Sequence, residues 1–292
     1  MRIKGSFMEI IFGALAVAFG IAILVCIVRD SNRFVTVHYR VADRRIKKKQ
    51  RIVLLADLHN KSYGKDNEKL LSAIDRAAPD LVVSAGDLIT SVPGQSMEVA
   101  ERLVERLAGR YPFYYGNGNH ECRIYHDKKK YKGMGKEYRG VLAKCRVCLL
   151  ENRAAELPAY GIRFVGLDLK QTHYRKLKEG ELSLSELQRM LGSCREDCYT
   201  VLIAHNPAFF DSYAAWGADL TLSGHVHGGI MRLPFLGGVL STSLRLFPKY
   251  DGGMFEKGQK KMIISRGLGS HTVPLRLFNP AELVVIDLEP TG

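Results

Sequence analysis

The sequence predicts an α/β layered fold with sheets packed together, preceded by one membrane-spanning helix. Three observations carry this. A run of 19 residues without a charge stands at 10–28. From residue 51 onward, short β-branched runs alternate with helical patterns and then give way to strands. Asp, Asn and His gather just after the predicted strands, where open α/β sheets hold their ligands.

The apolar run reads IIFGALAVAFGIAILVCIV. At helical rise it is about long enough to cross a hydrocarbon core of roughly 30 Å. A signal peptide would have a shorter apolar part and a small-x-small cleavage site, and no convincing one precedes Arg29. The expected organisation is an N-terminal anchor over 1–30, a basic juxtamembrane linker and first strand over 31–50, and a globular domain over 51–292. Arg2 and Lys4, opposed by Glu9, precede the span; Arg29, Arg33, Arg40, Arg44, Arg45, Lys47 and Lys48 follow it. The heavier basic flank is C-terminal. A single-pass cell-membrane protein with a cytoplasmic domain is expected, with extracytoplasmic placement as the alternative. The same cluster suits anionic lipid headgroups.

The elements follow in order. Arg51–Ala56 is a buried strand. Asn67–Ala78 is a helix with Leu70, Leu71, Ile74 and Ala77 on one face, stopped by Pro79. Leu81–Ala85 is a second strand. Met97–Ala108 is a helix ended by Gly109. Phe113–Tyr115 is a third strand, followed by a Lys-rich, partly helical stretch. Val147–Leu150 and Arg163–Leu167 read as strands. Leu182–Leu191 is a helix opened by a Ser capping pattern. Thr200–Ala204, Leu220–Ser223, Lys261–Ser265 and Leu283–Leu288 complete the strands.

Composition narrows the function. With 46% hydrophobic and 25% charged residues, the 292-residue chain is neither disordered nor fibrous. Its net charge is 43 − 30 = +13. Residues 29–51 and 122–146 each hold nine basic and two acidic residues, net +7 apiece, so the remainder is near neutral at 13 − 14 = −1. A near-neutral body argues against nucleic acid as a partner. Cys26 lies in the span, and the odd five cysteines outside it fit reduced thiols. A zinc knuckle from Cys145, Cys148, Cys194 and Cys198 is disfavoured by the 45 residues between the pairs.

The chemistry-bearing residues sit at five strand ends. They are Asp57 and His59, Gly86-Asp87, Gly118-Asn119-His120-Glu121, His205, and Gly224-His225-Val226-His227. A single Asp after a strand is normally a turn or a helix cap. Five strand ends converging with carboxylates and imidazoles are different, because such a buried cluster is costly unless cations neutralise it. Mixed N and O donors suit Mn, Fe, Zn or Ni.

These residues, in this order and spacing, resemble the calcineurin-like metallophosphoesterase family, whose pattern is D-x-H, GD, GNH-[DE], H, GH-x-H. The run Ser265-Arg-Gly-Leu-Gly269, then Pro274-x-Arg276-Leu-Phe278 and Pro280-x-Glu282, is similar to the YkuE-like bacterial branch, whose members are often exported or membrane-bound. The resemblance covers about 35–288. It implies a double-layer β-sandwich flanked by helices and makes 51–292 the metallophosphoesterase domain. It also implies two divalent metal ions. Asp57, His59 and His227 would hold one; Asn119, His205 and His225 the other; Asp87 would bridge them. His120 would sit over the phosphate and protonate or stabilise the leaving oxygen. Many relatives carry an acidic residue three positions after the bridging Asp to orient that histidine; here Thr90 stands there.

The function expected is a membrane-anchored phosphoesterase that hydrolyses a phosphate ester with a metal-activated water. The alternatives are a lipid-linked or nucleotide-sugar pyrophosphatase at the bilayer surface, and a non-catalytic, membrane-tethered metal-binding scaffold.

Overall fold

The computed structural model describes residues 2–174, 181–233, 235–240, 246–270 and 275–291. Pro274, part of the tail pattern, lies outside them.

The chain opens with α1 (Arg2–Asn32), whose stretch Ile11–Asn32 is long and apolar enough to cross a membrane. Arg33 alone separates it from β1 (Phe34–Asp43). There follow β2 (Gln50–Leu55), α2 (Glu68–Ala77), β3 (Leu81–Ser84), α3 (Glu98–Ala108), β4 (Phe113–Tyr115), α4 (Asn119–His126), α5 (Lys128–Tyr131), α6 (Met134–Lys144) and β5 (Cys148–Leu149). The second half holds β6 (Arg153–Leu157), β7 (Ile162–Gly166), α7 (Leu184–Leu191), β8 (Tyr199–Ile203), α8 (Phe210–Trp216), β9 (Leu220–Ser223), β10 (Met231–Leu233), β11 (Gly237–Leu240), β12 (Gly253–Lys257), β13 (Lys260–Ile264) and β14 (Ala281–Pro290).

Two six-stranded sheets form, ordered β1-β14-β2-β3-β4-β5 and β12-β13-β9-β8-β7-β6, with β10-β11 a separate hairpin. Strands β2, β3, β4 and β5 are mutually parallel, as are β7, β8, β9 and β13. Side-chain alternation builds the layers. Ile52 and Leu54 of β2 pack with Val201, Ile203, Leu220 and Leu222 between the sheets. Val53 and Leu55 point the other way, onto Leu70, Ile74, Leu103 and Leu107 of α2 and α3. Beyond the second sheet, Leu202 packs with Leu187, Tyr213 and Trp216 of α7 and α8. The result is the double-layer sandwich flanked by helices.

Local signals place the helices. Ala78 turns left-handed at the end of α2, just before Pro79. The Ser183 hydroxyl accepts the Glu186 N–H at 3.2 Å and so starts α7 two residues later than the sequence pattern suggested. Within the segment expected as linker and first strand, most residues are strand: β1 pairs with β14 along its whole length. Cys145 packs on the helix side of the first sheet, Cys148 between the sheets and Cys194 on the outer face of the second, so these thiols lie in three different cores.

Candidate metal centre

All five sequence-marked loops leave the sandwich at one end. Asp57 and His59 follow β2, Asp87 follows β3, Asn119 and His120 open α4 after β4, His205 follows β8, and His225 and His227 follow β9. Glycines allow these loops to close. A Cβ on Gly86 (φ +98°) would lie 2.2 Å from the Gly118 nitrogen, and one on Gly118 would lie 2.2 Å from Asp87 Oδ1. Asp57, His59, Asp87, His225 and His227 all adopt positive φ, which ordinary side chains rarely accept. Such strain persists only where the surroundings over-determine it, and it concentrates at functional sites.

The donor atoms converge in three groups. Asp57, His59 and His227 form one, Asp87, His205 and His225 a second, and His59, Asp87 and His120 a third that overlaps both, with the atoms of each group within 4.8 Å of one another. Asp57 Oδ1 lies 3.5 Å from His227 Nε2 and 3.8 Å from both His59 Nε2 and His205 Nε2. Asp87 Oδ2 lies 3.2 Å from His205 Nε2 and 3.9 Å from His59 Nε2, so it sits between the groups. Asn119 is buried, and its Oδ1 has no hydrogen-bond partner among the described residues.

The protein fixes the tautomers. The Nδ1 atoms of His59, His205 and His227 face the carbonyls of Ile89, Ala85 and Gly269 at 3.3, 2.7 and 3.1 Å. A carbonyl only accepts, so each Nδ1 carries a proton and each neutral ring turns an Nε2 lone pair inward. His59 Nε2 and His227 Nε2 then face each other at 3.2 Å. Two opposed lone pairs repel, and a cation between them removes the conflict.

Electrostatics point the same way. Burial pushes the Asp57 carboxyl up to about 7; the Asp87 charge adds to this and His205 offsets part of it. Burial also opposes ionisation of Asp87, yet His205, His120 and His59 outweigh it and hold that carboxyl well below its usual range. Burial works against a charged His205, but the Asp87 and Asp57 carboxylates raise it to about 9. Burial holds His225 down to about 3. Without a cation, protons must balance these carboxylates. Divalent ions fit the donor set better, because they hold carboxylates ionised and imidazoles neutral at once.

His120 clusters with His59 and Asp87, yet its ring is held differently from the other imidazoles. Its Nδ1 accepts from the Ser91 N–H at 2.7 Å, and the Ser91 hydroxyl lies 2.8 Å away. In the neutral ring the proton therefore resides on Nε2, which faces Asp87 Oδ2 at 3.9 Å. Ser91 thus orients the ring, and among the described residues Thr90 makes no such hydrogen bond. Thr90 is buried beside it.

The sequence reading assigned no role to two residues that shape the centre. Glu121 is fully buried, and its oxygens accept the N–H groups of Asp87, Leu88 and Gly118 and the Tyr115 hydroxyl, at 2.8–3.1 Å. It clasps the Asp87 loop to the start of α4. Its place beside His120 in the motif was the available signal. Tyr174 packs edge-on against His225 at 5.3 Å, and nothing in the sequence around it marks that contact.

Comparison with known proteins agrees with the geometry. A metallophosphoesterase of Campylobacter jejuni is 28% identical over 247 residues, 84% of this chain and 60% of that one. The metallophosphoesterase YkuE of Bacillus subtilis is 24% identical over 247 residues, 83% of this chain and 80% of that one. The chain thus spans less than two thirds of the Campylobacter protein's length. Among solved structures, a dimetal phosphatase from Danio rerio superposes with a TM-score of 0.41 at 16% identity, over 77% of this chain and 89% of that one. The pattern of the calcineurin-like phosphoesterase family matches residues 50–229. That stretch is more than half of the chain and contains every candidate ligand from Asp57 to His227, and the chain belongs to that family.

Proposed function

We propose that this chain is a membrane-anchored phosphoester hydrolase working with two divalent cations. The observation that carries the reading is the convergence of overlapping three-donor groups about Asp87, with two Nε2 lone pairs opposed at 3.2 Å. Asp57, His59 and His227 would hold one ion, Asn119, His205 and His225 the other, and the Asp87 carboxylate would serve both. Mn, Fe, Zn or Ni suits these donors. When bound, such a pair lowers the pKa of water and neutralises charge on phosphate oxygens.

The remaining work falls to protein groups. Glu121 clasps the Asp87 loop, which would keep the Asp87 carboxylate in place for the ions it would hold. The carbonyls of Ile89, Ala85 and Gly269 keep three imidazoles in the ligating tautomer. His120, set by Ser91, presents Nε2–H toward the space above Asp87. There it would donate to the phosphate and to the departing oxygen. The apolar α1 would serve as the anchor. The domain after residue 50 would carry the activity.

The test is hydrolysis by the purified full chain of a panel of phosphomonoesters, phosphodiesters and lipid pyrophosphates, each with Mn, Mg, Zn or Fe. Metal-dependent turnover of at least one class, abolished by chelation and restored by the ion, is the expected result. A metal-loaded chain inert on every class would leave the scaffold reading standing.

A further inference from the structure

The end of the sandwich that carries the metal centre is also the end where the apolar helix leaves. Strand polarity establishes this. β2 finishes at the centre, and β14 runs antiparallel to it, with Val284 opposite Leu54 and Leu288 opposite Gln50. β14 therefore starts at the metal-site end. β1 is parallel to β14, with Phe34 opposite Ala281, so it starts there too. Only Arg33 lies between α1 and β1. The junction is fastened beside a ligand loop. Lys61, two residues past His59, donates to Asn32 Oδ1 at 3.0 Å, and Phe34 packs edge-on against Tyr63 at 4.9 Å. Asp30, in the last turn of α1, is buried and pairs with Arg33 at 2.9 Å. A membrane entered by α1 therefore lies against this end and not at the reach of a long tether.

The same end exposes apolar side chains. Outside α1, nine large hydrophobic residues are exposed among the described residues, and six of them share one rim: Phe235, Leu236, Leu246, Phe247, Leu275 and Phe278. They lie in the loops that follow β9 and β13, past the strand ends that face the metal centre. Phe235 and Leu236 form the tip of the β10–β11 hairpin. The pieces are bonded into one unit: Arg232 N–H donates to the Leu277 carbonyl at 3.1 Å, Leu277 N–H to Ile230 at 3.1 Å, and Phe247 N–H to Val239 at 2.9 Å. Asn279 Nδ2 donates to the carbonyls of His227 and Gly229 at 2.8 and 2.7 Å, which ties the rim to a candidate ligand. Buried Arg276 donates to the carbonyls of Arg266 and Gly269 at 2.8 and 2.6 Å and holds its exposed neighbours Leu275 and Phe278 outward. Phe235, Phe247 and Phe278 all have positive φ, an unfavourable state for a bulky residue. The fold thus spends backbone strain to keep three aromatic rings out of its core.

We propose that this rim docks on the lipid bilayer, with the phenylalanines and leucines in the interface and the metal centre facing the headgroups. Exposed aromatic and leucine side chains on one face favour the headgroup–acyl boundary, and a contiguous apolar patch on a soluble surface otherwise marks a binding face. The occupant is lipid because α1 emerges at this same end. The proposal rests on α1 being an anchor. It makes the substrate a phosphate ester carried by a lipid, reached at headgroup depth without leaving the membrane.

The test uses tryptophan scanning of the full chain in phosphatidylcholine–phosphatidylglycerol vesicles, with brominated phosphatidylcholine as the quencher. Phe19→Trp reports the anchor and Phe235→Trp the rim. Gln259→Trp, in the exposed β12–β13 turn at the opposite end, is the control. Each signal is taken relative to the unsubstituted chain, which carries the buried Trp216. Quenching of Phe19→Trp and Phe235→Trp, with Gln259→Trp unchanged, is expected; Phe278→Trp serves as a second rim reporter should Phe235→Trp misfold. Quenching at position 19 with none at 235 or 278 would overturn the docked rim and leave the anchor standing. No quenching at any position would remove the anchor and the docking together. A blue-shifted but unquenched rim tryptophan would mean a protein partner covers it and would also overturn the proposal.

Discussion

The two ends of the sandwich are built by different rules. At the metal-site end the chain accepts left-handed backbone at five candidate ligands, buries Asp57 and Asp87 a few ångströms apart, and leaves three phenylalanines outside. At the other end the buried carboxylate of Asp219 is fully partnered. Asp219, just before β9, accepts the Thr200 N–H at 2.9 Å and pairs with Arg45 at 2.9 Å and Lys260 at 2.7 Å. The helix α2 closes there with Ala78 and Pro79. The comparison teaches that a buried carboxylate is not by itself a functional signal. What separates Asp87 from Asp219 is the company: imidazoles whose second nitrogens are already committed, against cations and N–H donors that complete the pair.

The largest expected effect breaks that comparison directly. Asp87→Asn should reduce turnover to background and release at least one metal ion, since a neutral amide does not bridge two cations as a carboxylate does. Asp219→Asn should do the reverse: metal content and turnover per folded molecule persist, while stability falls by about 1–3 kcal/mol as Lys260 and Arg45 lose a charged partner. Metal analysis and thermal melts on both variants check this, and equal metal loss from both would erase the distinction between the ends.

A second effect lies within the site end. His120→Ala should keep its metals and lose roughly 10²–10⁴ in kcat, the usual worth of a positioned proton donor. The loss should shrink for a nitrophenyl ester, whose leaving group needs no proton. Equal losses with good and poor leaving groups would reduce His120 to a phosphate-holding role.

The smallest effect concerns the lysines. Lys128, Lys129 and Lys130 begin α5, which the eight residues of α4 separate from the centre, about 12 Å along the helix. That is comparable with the screening length of about 10 Å at 0.1 M salt. Changing Lys128, Lys129, Lys130 and Lys132 together to Gln should lower kcat/KM by about two- to fivefold at low salt and flatten its salt dependence, with kcat unchanged. An unaltered salt profile would make the cluster a solvated face and nothing more.

The sequence made much of the chemistry legible because strand-end polar residues have no structural excuse in such number. Asp57, His59, Asp87, His205, His225 and His227 converge in overlapping groups, and Asn119 is buried at the start of α4. Central strands such as β2 and β8, buried on both faces, read as unbroken apolar runs. Edge elements did not. β1 was expected only as a first strand somewhere in the basic segment 31–50, without bounds, and β6, an edge strand reading Arg-Ala-Ala-Glu-Leu, carries too little apolar pattern to be seen. The orientation of His120 was also out of reach. Position 90 was the expected place for its partner, yet Ser91 supplies the contact through a backbone N–H that any residue except proline offers. Clasps such as Glu121 act through main-chain groups of distant segments, which spacing alone does not reveal.

The central claim is that Asp87 joins two cation sites. Its most direct test is the metal stoichiometry of the purified full chain, loaded with manganese and measured by elemental mass spectrometry against protein concentration. The account predicts two ions per chain, falling to one or none in Asp87→Asn. A native chain that saturates at one ion, or an Asp87→Asn chain that still holds two, would contradict it.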